Sequence, residues 1–476
     1  MLALNVEKPY INSVNFKQLY QAWLSCQIRK AGSRAAQKYE IGLLDNLWST
    51  LENLQNARYS ATSSYSFVTT QTKLREIHVA YFGDRVVQHY LVPLLEKIWE
   101  PKFIYDVYSN RKTKGTHKAV ERCQTFMRKA DVKYYLQLDI KFFFYTIQQQ
   151  KLIELIQKVL RKASIKKQLT QAQANFYQWL SICFIHADFR QANVLSPYLA
   201  KKIPTHKQLT KQPKGIGLPI GNLTSQFFAN VYLNELDQFV KHRLKCKYYL
   251  RFVDDFILMA DNHQQLQRWQ QQIEYFLAKK LQLELKEQKI LQSVNSGANF
   301  LGYIIRPHYK LVRKRVVNNL KQKHITFTKQ LISDNQQKNT QTLNLSPLFI
   351  AQITATIASY IGHFKHASSL KLITGLWQST PWLNDLFYFD KSCYQLCLKY
   401  SPIKTMGFKQ QVLFFRHHYP QAKLKIQLGK TTQVFLPTTS LITQTLIFNQ
   451  KGLNKRGIRH REVTQIINFN QGNNHE

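Results

Sequence analysis

The sequence predicts an α+β protein folded as two to four subdomains, and three observations lead to this prediction. Its 476 residues are more than one hydrophobic core usually serves. Apolar residues recur at helical spacing in several stretches, among them residues 15–56. Two further stretches, 134–147 and 248–258, are rich in aromatic and β-branched residues and predict strands that meet carboxylates.

The charge balance points to a polyanionic partner. The chain has 67 Lys and Arg against 27 Asp and Glu, a formal net charge of +40. An excess of this size repels itself in a compact fold unless a polyanion is bound. Nucleic acid is the first candidate. An anionic membrane surface ranks second, because the basic residues are spread along the chain instead of forming one amphipathic helix.

The cysteine pattern and the hydropathy favour a cytoplasmic protein without a membrane anchor. The six cysteines contain no CxxC pair and no zinc-ligand spacing, which is typical of reduced thiols. We found no run of about 20 apolar residues and no signal-peptide pattern. We therefore expect no membrane segment.

Two adjacent carboxylates, Asp254 and Asp255, lie between two apolar runs that predict a tight hairpin. Adjacent strand residues point to opposite faces, but a turn can direct both side chains to one place. Paired carboxylates supply the hard oxygen ligands that divalent metals prefer. The alternative is an ordinary turn, since Asp is a frequent turn residue.

A third carboxylate, Asp139, ends another apolar strand far upstream of the hairpin. A buried carboxylate without a partner is costly, so Asp139 requires a cation or an exposed position. If the two strands belong to one sheet, the three carboxylates can form one metal site. A solvated Asp at a strand end is the alternative.

Two loops have the composition of phosphate-binding segments. The basic loop 108–117 contains Gly, Thr and Asn and leads into a helix. The glycine-rich loop 215–226 leads into the helical stretch 227–241, and its glycines permit close backbone approach to a ligand. A plain surface loop is the alternative in both cases.

Four motifs occur in a set order: LDIKFFFYTI (138–147), GLPIGNLTSQFFANVYLNELD (217–237), RFVDDFILM (251–259) and FLGY (300–303). This order resembles the palm of bacterial reverse transcriptases. The second motif has Ser225-Gln226 instead of Ser-Pro, and in this it is similar to the branch that includes diversity-generating retroelement and antiphage defence enzymes. DRVVQH and SNRKTKGTHKAVERC resemble the fingers of that branch, and SYIGHFKHASS resembles its thumb. The likeness covers roughly residues 70–370.

The resemblance implies a right-hand α+β polymerase. The expected parts are an N-terminal helical segment (1–58), fingers and palm (59–310), a thumb (311–375) and an extra C-terminal module with a polar tail (376–476). The module contains short β-like runs and no chemistry that we can name.

The resemblance also implies the site. Asp139, Asp254 and Asp255, with the Ile140 carbonyl, would hold two Mg²⁺ ions, with Mn²⁺ as a substitute. Phe144 would exclude ribonucleotides, unless it only packs in the core. Lys289 would be a general acid, unless it is a solvated surface residue. The full implied nucleotide-binding set is Arg75, Arg111, Phe144, Ile220, Gly221, Gln226 and Lys289, and the implied primer grip is Phe300, Leu301, Gly302 and Tyr303.

Two departures from the family pattern matter. Tyr145-Thr146 stands where many relatives have Asp-Ser, so an auxiliary carboxylate is missing, although the three main ligands remain. Ile220 stands where many reverse transcriptases have Gln. An aliphatic side chain cannot hydrogen-bond near the template or nucleotide, so low fidelity is a hypothesis.

The resemblance implies an RNA-directed DNA polymerase that uses dNTPs and makes DNA from a structured non-coding RNA in antiphage defence. The alternatives are an error-prone enzyme of a diversity-generating retroelement, a catalytically inactive RNA-binding scaffold and an RNA-templated RNA polymerase. A protein partner or a homo-oligomer is also compatible with the sequence.

Overall fold

A computed structural model describes the chain over residues 14–28, 30–61, 65–70, 74–187, 193–195, 197–335, 340–343, 347–380, 382–390, 394–398, 422–428, 431–435, 444–450 and 461–468. The chain divides into two compact units, Met1–Ala298 and Asn299–Glu476. None of the helices in these residues has the length and apolarity of a membrane span.

The first unit begins with three helices, which confirms the helices predicted over residues 15–56. A capping box between Asn15 and Gln18 starts the first helix, because each side chain accepts a hydrogen bond from the other residue's backbone N–H. The helices bury one apolar face each and expose a mainly polar face. They are α1 (Phe16–Gln27), α2 (Arg34–Ile41) and α3 (Leu43–Gln55).

A small sheet follows, in which β1 (Tyr65–Thr69) pairs antiparallel with β2 (Arg75–Val79) and parallel with β4 (Asn193–Val194). Alternation along β2 buries the polar side chains of Glu76 and His78 and exposes Arg75.

The central sheet of the first unit has the strand order β5-β6-β3-β7, with every neighbouring pair antiparallel. Its strands are β3 (Tyr134–Asp139), β5 (Tyr248–Phe252), β6 (Asp255–Ala260) and β7 (Ile290–Ser293). β5 is an edge strand, and β6 and β3 are interior. The hairpin predicted around residues 248–258 is confirmed as β5–β6, and the strand predicted before Asp139 is confirmed as β3.

Helices cover this sheet and supply most of the core. Helix α10 is buried over most of its surface, and its buried side chains include the polar Asn230 and Asp237 as well as apolar residues. α10 and α11 continue as π-helical turns, Phe239–Arg243 and Leu277–Leu281. The helices are α4 (Phe82–Trp99), α5 (Thr116–Met127), α6 (Phe143–Thr146), α7 (Gln149–Ile165), α8 (Gln171–Ile185), α9 (Pro197–Ala200), α10 (Leu223–Gln238) and α11 (His263–Phe276).

The second unit contains a small antiparallel sheet and a helical cluster with its own core. The sheet has the order β10-β9-β8, from β8 (Ala298–Phe300), β9 (Tyr303–Ile305) and β10 (Lys310–Val312). The apolar stripes of α12 and α13 meet in this core. The helices are α12 (Lys314–Leu331), α13 (Pro347–Phe364), α14 (Leu370–Gln378) and α15 (Trp382–Leu386).

A six-stranded sheet with the order β11-β12-β18-β17-β15-β16 also belongs to the second unit. The β-like runs predicted from residues 422 and 433 lie in its strands β15 and β16, whereas the run at 412–415 and the polar tail lie outside the described residues. The hairpin β11–β12 separates α12 from α13 in sequence, yet β12 pairs with β18. The strands are β11 (Ile332–Asn335), β12 (Thr340–Leu343), β15 (Ala422–Leu428), β16 (Thr431–Phe435), β17 (Gln444–Gln450) and β18 (Arg461–Asn468), and a separate pair is formed by β13 (Phe387–Phe389) and β14 (Leu396–Leu398).

Candidate functional site

A two-residue turn, Val253-Asp254, joins β5 to β6, and we call it the carboxylate turn. Phe252 and Asp255 face each other across its base. Val253 has a φ of +57°. A β-branched residue rarely adopts the left-handed region, so the turn holds local strain of the kind that often marks functional sites.

The sheet register brings the third predicted carboxylate to this turn. Asp139 at the end of β3 lies directly opposite Asp255 in β6. The backbone N–H of Ile140 donates to the Asp254 carbonyl at 3.2 Å. Directly opposed residues of antiparallel strands have Cβ atoms about 4.5–5.5 Å apart. Three acidic residues therefore share one end of the central sheet.

The local electrostatics disfavour charge on the carboxylate turn. Burial raises the pKa of both Asp254 and Asp255, and the negative charge of Asp139 raises each of them further. Gln137 donates to Asp255 Oδ1 at 3.1 Å, which opposes part of this rise in the Asp255 pKa. Carboxylates in this situation are stabilised by an additional cation.

Lys286 is the protein cation at the site. Its Nζ is hydrogen-bonded to Asp139 Oδ2, and its backbone N–H donates to the Asp139 carbonyl at 2.8 Å. Lys289, for which a general-acid role and a solvated surface position were both left open, pairs with Glu274 on α11 at 2.5 Å. Lys286, and not Lys289, is therefore the lysine that the structure brings to the Asp139 carboxylate.

The donor set fits a divalent cation. The Asp139 Oδ1 atom is buried and has no hydrogen-bond partner, and within the described part of the chain Asp254 and Asp255 form no ion pair. Hard carboxylate oxygens are the ligands that Mg²⁺ prefers. Over the same residues, no three His, Cys, Asp or Glu side chains stand close enough to form a ready-made metal cluster, and the Asp139 carboxylate contacts Lys286 instead.

A fully buried ion pair stands behind the turn. The Arg251 guanidinium donates through Nε and Nη2 to the Asp237 carboxylate at 2.8 and 2.6 Å, and neither side chain is exposed. The Tyr249 hydroxyl donates to the same carboxylate at 2.7 Å. A bidentate pair with a further donor satisfies the charge that burial would otherwise penalise.

This buried pair also fixes the backbone of the turn. Arg251 Nη1 donates to the Val253 carbonyl at 2.9 Å, and the Val253 N–H donates to Ser109 Oγ at 2.9 Å. Asn230 in turn donates to the Ser109 carbonyl at 2.9 Å. Sequence reasoning missed Ser109, Asn230 and this use of Arg251. A polar residue within an otherwise apolar strand was the available signal for Arg251.

Arg111 is hydrogen-bonded within its own loop and to Glu100. Its side chain is 7% exposed and donates to the Glu100 carboxylate at 2.7–3.2 Å. Its Nη1 donates to the Ile104 carbonyl at 2.7 Å and the Val107 carbonyl at 3.2 Å. These bonds hold Arg111 in the loop, and its contact to the incoming triphosphate stays a prediction.

Arg75 and Phe144 differ in exposure and in their surroundings. Arg75 is exposed on β2, and its charge lowers the pKa of Asp254, so its field reaches the turn. Phe144 is half-buried, packs on the core and meets Phe143 edge-to-face with ring centroids 5.4 Å apart. Its carbonyl accepts from the Leu218 N–H at 2.7 Å, which joins two of the motifs.

The glycine-rich loop docks on β2. The His78 N–H donates to the Ile220 carbonyl at 2.7 Å. Gly221 has a φ of +124°, and a Cβ there would lie 2.4 Å from the His78 carbonyl oxygen, so only glycine fits. The Ile220 side chain packs beside Tyr145 in a small apolar cluster. Gln226 is half-buried in the first turn of α10.

The predicted primer-grip residues belong to the second unit. Phe300 and Tyr303 are buried, and the Tyr303 ring stacks on His363 with centroids 4.2 Å apart. Gly302, with a φ of +93°, places its Cα against the same imidazole. Leu301 lies between them with a φ of +50°. Their predicted role stays a prediction.

Comparison with known proteins identifies the chain. Residues 68–305 match the family model described as reverse transcriptase (RNA-dependent DNA polymerase). The chain belongs to the reverse transcriptase family. The matched range contains the three carboxylates and the whole central sheet. The other residues of the chain lie outside this match.

Two curated proteins are similar to the chain. The group II intron-encoded protein LtrA of Lactococcus lactis subsp. cremoris is 25% identical over 272 residues, which cover 49% of this chain and 45% of LtrA. The protein YkfC of Escherichia coli (strain K12) is 23% identical over 290 residues, covering 52% of this chain and 68% of YkfC. The match thus spans about half the length of LtrA.

Solved telomerases from Candida tropicalis are also similar to this chain. The apo telomerase matches with a TM-score of 0.37 and 14% identity, covering 57% of this chain and 54% of the telomerase chain. The telomerase truncated from its C-terminal domain matches with a TM-score of 0.38 and 13% identity, covering 53% of this chain and 55% of the telomerase chain.

Proposed function

We propose that the protein is an RNA-directed DNA polymerase that adds dNTPs to a 3′-hydroxyl. The observation that carries this proposal is the register of the central sheet, which sets Asp139 opposite Asp255 and next to Asp254. Carboxylates from two strands are what a two-metal phosphoryl-transfer site requires. Membership of the reverse transcriptase family supports RNA as the template.

The proposed chemistry divides between the ions and the chain. Bound divalent ions would lower the pKa of the primer hydroxyl and neutralise charge on the α-phosphate and the departing pyrophosphate. Asp139, Asp254 and Asp255, with the Ile140 carbonyl, would hold these ions. Arg75 and Lys286 are the cations that face the triphosphate, and the network behind the carboxylate turn keeps the ligands in place.

Primer extension tests this proposal. A DNA primer annealed to RNA should be extended with dNTPs and Mg²⁺, and Asp254→Asn should lower the rate by at least about 10²-fold, the scale on which a preorganised charged group acts. Asp261→Asn, an exposed carboxylate just beyond β6, is the matched control and should keep full activity. If wild type and Asp254→Asn are equally inactive while the protein binds RNA, the inactive scaffold is supported instead.

The choice of nucleotide separates a DNA polymerase from an RNA polymerase. Phe144 is half-buried, its ring packs edge-to-face on Phe143, and its backbone carbonyl accepts from the Leu218 N–H, so the ring would act as the steric limit near the sugar. We propose that Phe144→Ala raises incorporation of ribonucleotides relative to dNTPs by about 10-fold or more. Equal ratios in wild type and variant would assign Phe144 to packing alone.

We further propose that the template is a dedicated structured RNA and that the role is antiphage defence. The net charge of +40 supports a large RNA partner, and the β-rich extension beyond the family match supports a specialised role. Sequencing the RNA that co-purifies tests the first point. A neighbouring template and variable repeat pair would instead support a diversity-generating retroelement.

The retroelement alternative also predicts low fidelity. Ile220 presents an aliphatic side chain in a cluster with Tyr145, where it can offer no hydrogen bond. Misincorporation by wild type and Ile220→Gln should therefore differ, with fewer errors in the variant. Equal error rates would remove this explanation.

A further inference from the structure

A cavity of about 560 Å³ opens on the outer edge of the central sheet, away from the carboxylates. α5 and the start of β5 form its walls, and Tyr248 lies five residues before Val253. At about 3.3 Å per strand residue, this spacing puts the cavity about 16 Å from the carboxylate turn. Its main lining residues are Arg122, Phe126, Lys129, Asp131, Lys247 and Tyr248.

The floor of the cavity is aromatic. The rings of Phe126 and Tyr248 meet edge-to-face with centroids 5.2 Å apart, and both side chains are buried. Arg122 lies over Phe126, with its Cζ atom 4.5 Å from the ring centroid, and the same atom is 5.4 Å from the ring of Tyr105. Tyr105 is 67% exposed. Tyr105 itself is not a lining residue, and the Lys114 Nζ lies 3.3 Å from its ring centroid. An aromatic ring beside one guanidinium and one ammonium group can stack on a base of any sequence.

The walls carry more positive than negative charge. Arg122 pairs with Asp106 at 2.8 Å, and Lys247 pairs with Asp131 at 3.2 Å. Lys129 has no carboxylate partner in the described part of the chain. The preceding stretch 241–247 contains four Lys or Arg residues and no acidic residue. A phosphate in this cavity would therefore meet two ammonium groups. One is that of Lys129, and the other is that of Lys247, whose ion pair with Asp131 is exposed to solvent.

From these features we infer that the cavity binds a nucleotide of single-stranded RNA, as a contact separate from the polymerisation site. Aromatic edges with cations around them suit a base and its phosphate. An unpaired strand is required, because bases stacked within a duplex cannot reach side chains in this way. The inference rests on the proposed function in one respect, since the RNA would be a single-stranded part of the template.

Charge removal tests the inference in a binding assay that needs neither Mg²⁺ nor dNTPs. A fluorescein-labelled 20-nucleotide oligouridylate is titrated with the full chain at several salt concentrations. Each phosphate contact to a single strand contributes about 0.7 to the slope of log K against log salt. The Lys129→Ala/Lys247→Ala variant should therefore have a slope about 1.4 smaller in magnitude than the wild-type slope. The control variant Lys151→Ala/Lys158→Ala on α7 removes the same two positive charges and should keep the wild-type slope.

A gain of binding guards against misfolded variants. Asp131 and Glu154 each hold an exposed lysine at 3.2 Å on the same unit, so the two pairs can be compared. Asp131 differs in that it also accepts from the Tyr248 hydroxyl at 2.6 Å, a bond that an Asn side-chain oxygen can still accept. Asp131→Asn frees Lys247 for phosphate and should tighten oligouridylate binding about 3-fold or more. Glu154→Gln makes the same charge change beside Lys151 and should leave the affinity within about 1.5-fold of wild type.

The outcomes are distinct. Equal slopes for the two lysine double variants, or equal affinities for the two carboxylate variants, overturn the inference. Polyglutamate is titrated in the same way as a probe for an acidic protein segment. If Lys129→Ala/Lys247→Ala loses polyglutamate binding but keeps oligouridylate binding, the cavity binds an acidic protein segment, and the inference is overturned. Primer extension by the wild-type chain with dNTPs and Mg²⁺ is measured beside these binding assays, so a failure of the polymerase proposal would be seen separately.

Discussion

Breaking the buried ion pair behind the carboxylate turn should unfold the first unit more readily than any surface change. Arg251 and Asp237 are both 0% exposed and are joined by two hydrogen bonds of 2.6 and 2.8 Å. Arg251→Met leaves the Asp237 carboxylate buried without its counter-charge. Loss of one partner of a buried pair costs about 3–5 kcal/mol. Since total stabilities are about 5–15 kcal/mol, this loss is a large fraction of the whole.

A compensated variant separates stability from function. Arg251→Met/Asp237→Leu/Tyr249→Phe removes both charges and the hydroxyl that would lose its acceptor, so most of the free energy of unfolding should return. The variant still lacks the donor to the Val253 carbonyl, so the carboxylate turn is less firmly held and dNTP incorporation should stay at least about 10-fold below wild type.

Urea unfolding followed by tryptophan fluorescence measures the first effect, and primer extension measures the second. A loss below about 1 kcal/mol in Arg251→Met would refute the account of the buried charge. Full activity in the compensated variant would show that the turn does not depend on Arg251.

Three further predictions follow from the geometry. Gly221→Ala combines a φ of +124° with a Cβ that would lie 2.4 Å from the His78 carbonyl oxygen, so it should lower the free energy of unfolding by about 2 kcal/mol or more. Gly115→Ala has a similar φ of +118° but open space around the Cβ, so it should lower this free energy less. Thermal unfolding of the two variants measures the difference. Lys286→Ala should lower dNTP incorporation by about 10-fold, and Lys289→Ala should have little effect, because only Lys286 contacts Asp139. Burial lowers the pKa of His324 to about 4, so the unfolded chain binds more protons between about pH 6.5 and 4. The free energy of unfolding of the second unit should therefore fall as the pH drops through this range, and His324→Asn should flatten the profile.

Local patterns were enough to predict the centre of the site. Apolar runs on both sides of Asp254 and Asp255 predicted the β5–β6 hairpin, and the run before Asp139 predicted β3. These strands are short, nearly continuous in apolar residues and bounded by polar ones, so each segment carries its own signal. The structure then places the three carboxylates together through strand register, which the order of the motifs allowed us to expect.

Contacts between distant segments could not be predicted in this way. Ser109 and Asn230 are 121 residues apart, and hydropathy periodicity contains no information on such a pair. The positions of Lys286 and Lys289 depend on how one extended segment is turned against β3. The same holds for the pairing of β12 with β18, which joins a hairpin between two helices to the last strand.

The hydrogen bond between Val253 and Ser109 has a consequence for how the protein folds. The two residues are 144 positions apart in the chain. Loop closure on this scale is slow compared with formation of a local hairpin, so β5 and β6 can pair long before Ser109 arrives. A partly folded chain would then have its hairpin in place but a backbone free to relax at Val253. Competence for catalysis should consequently appear late during refolding, after most of the secondary structure has formed.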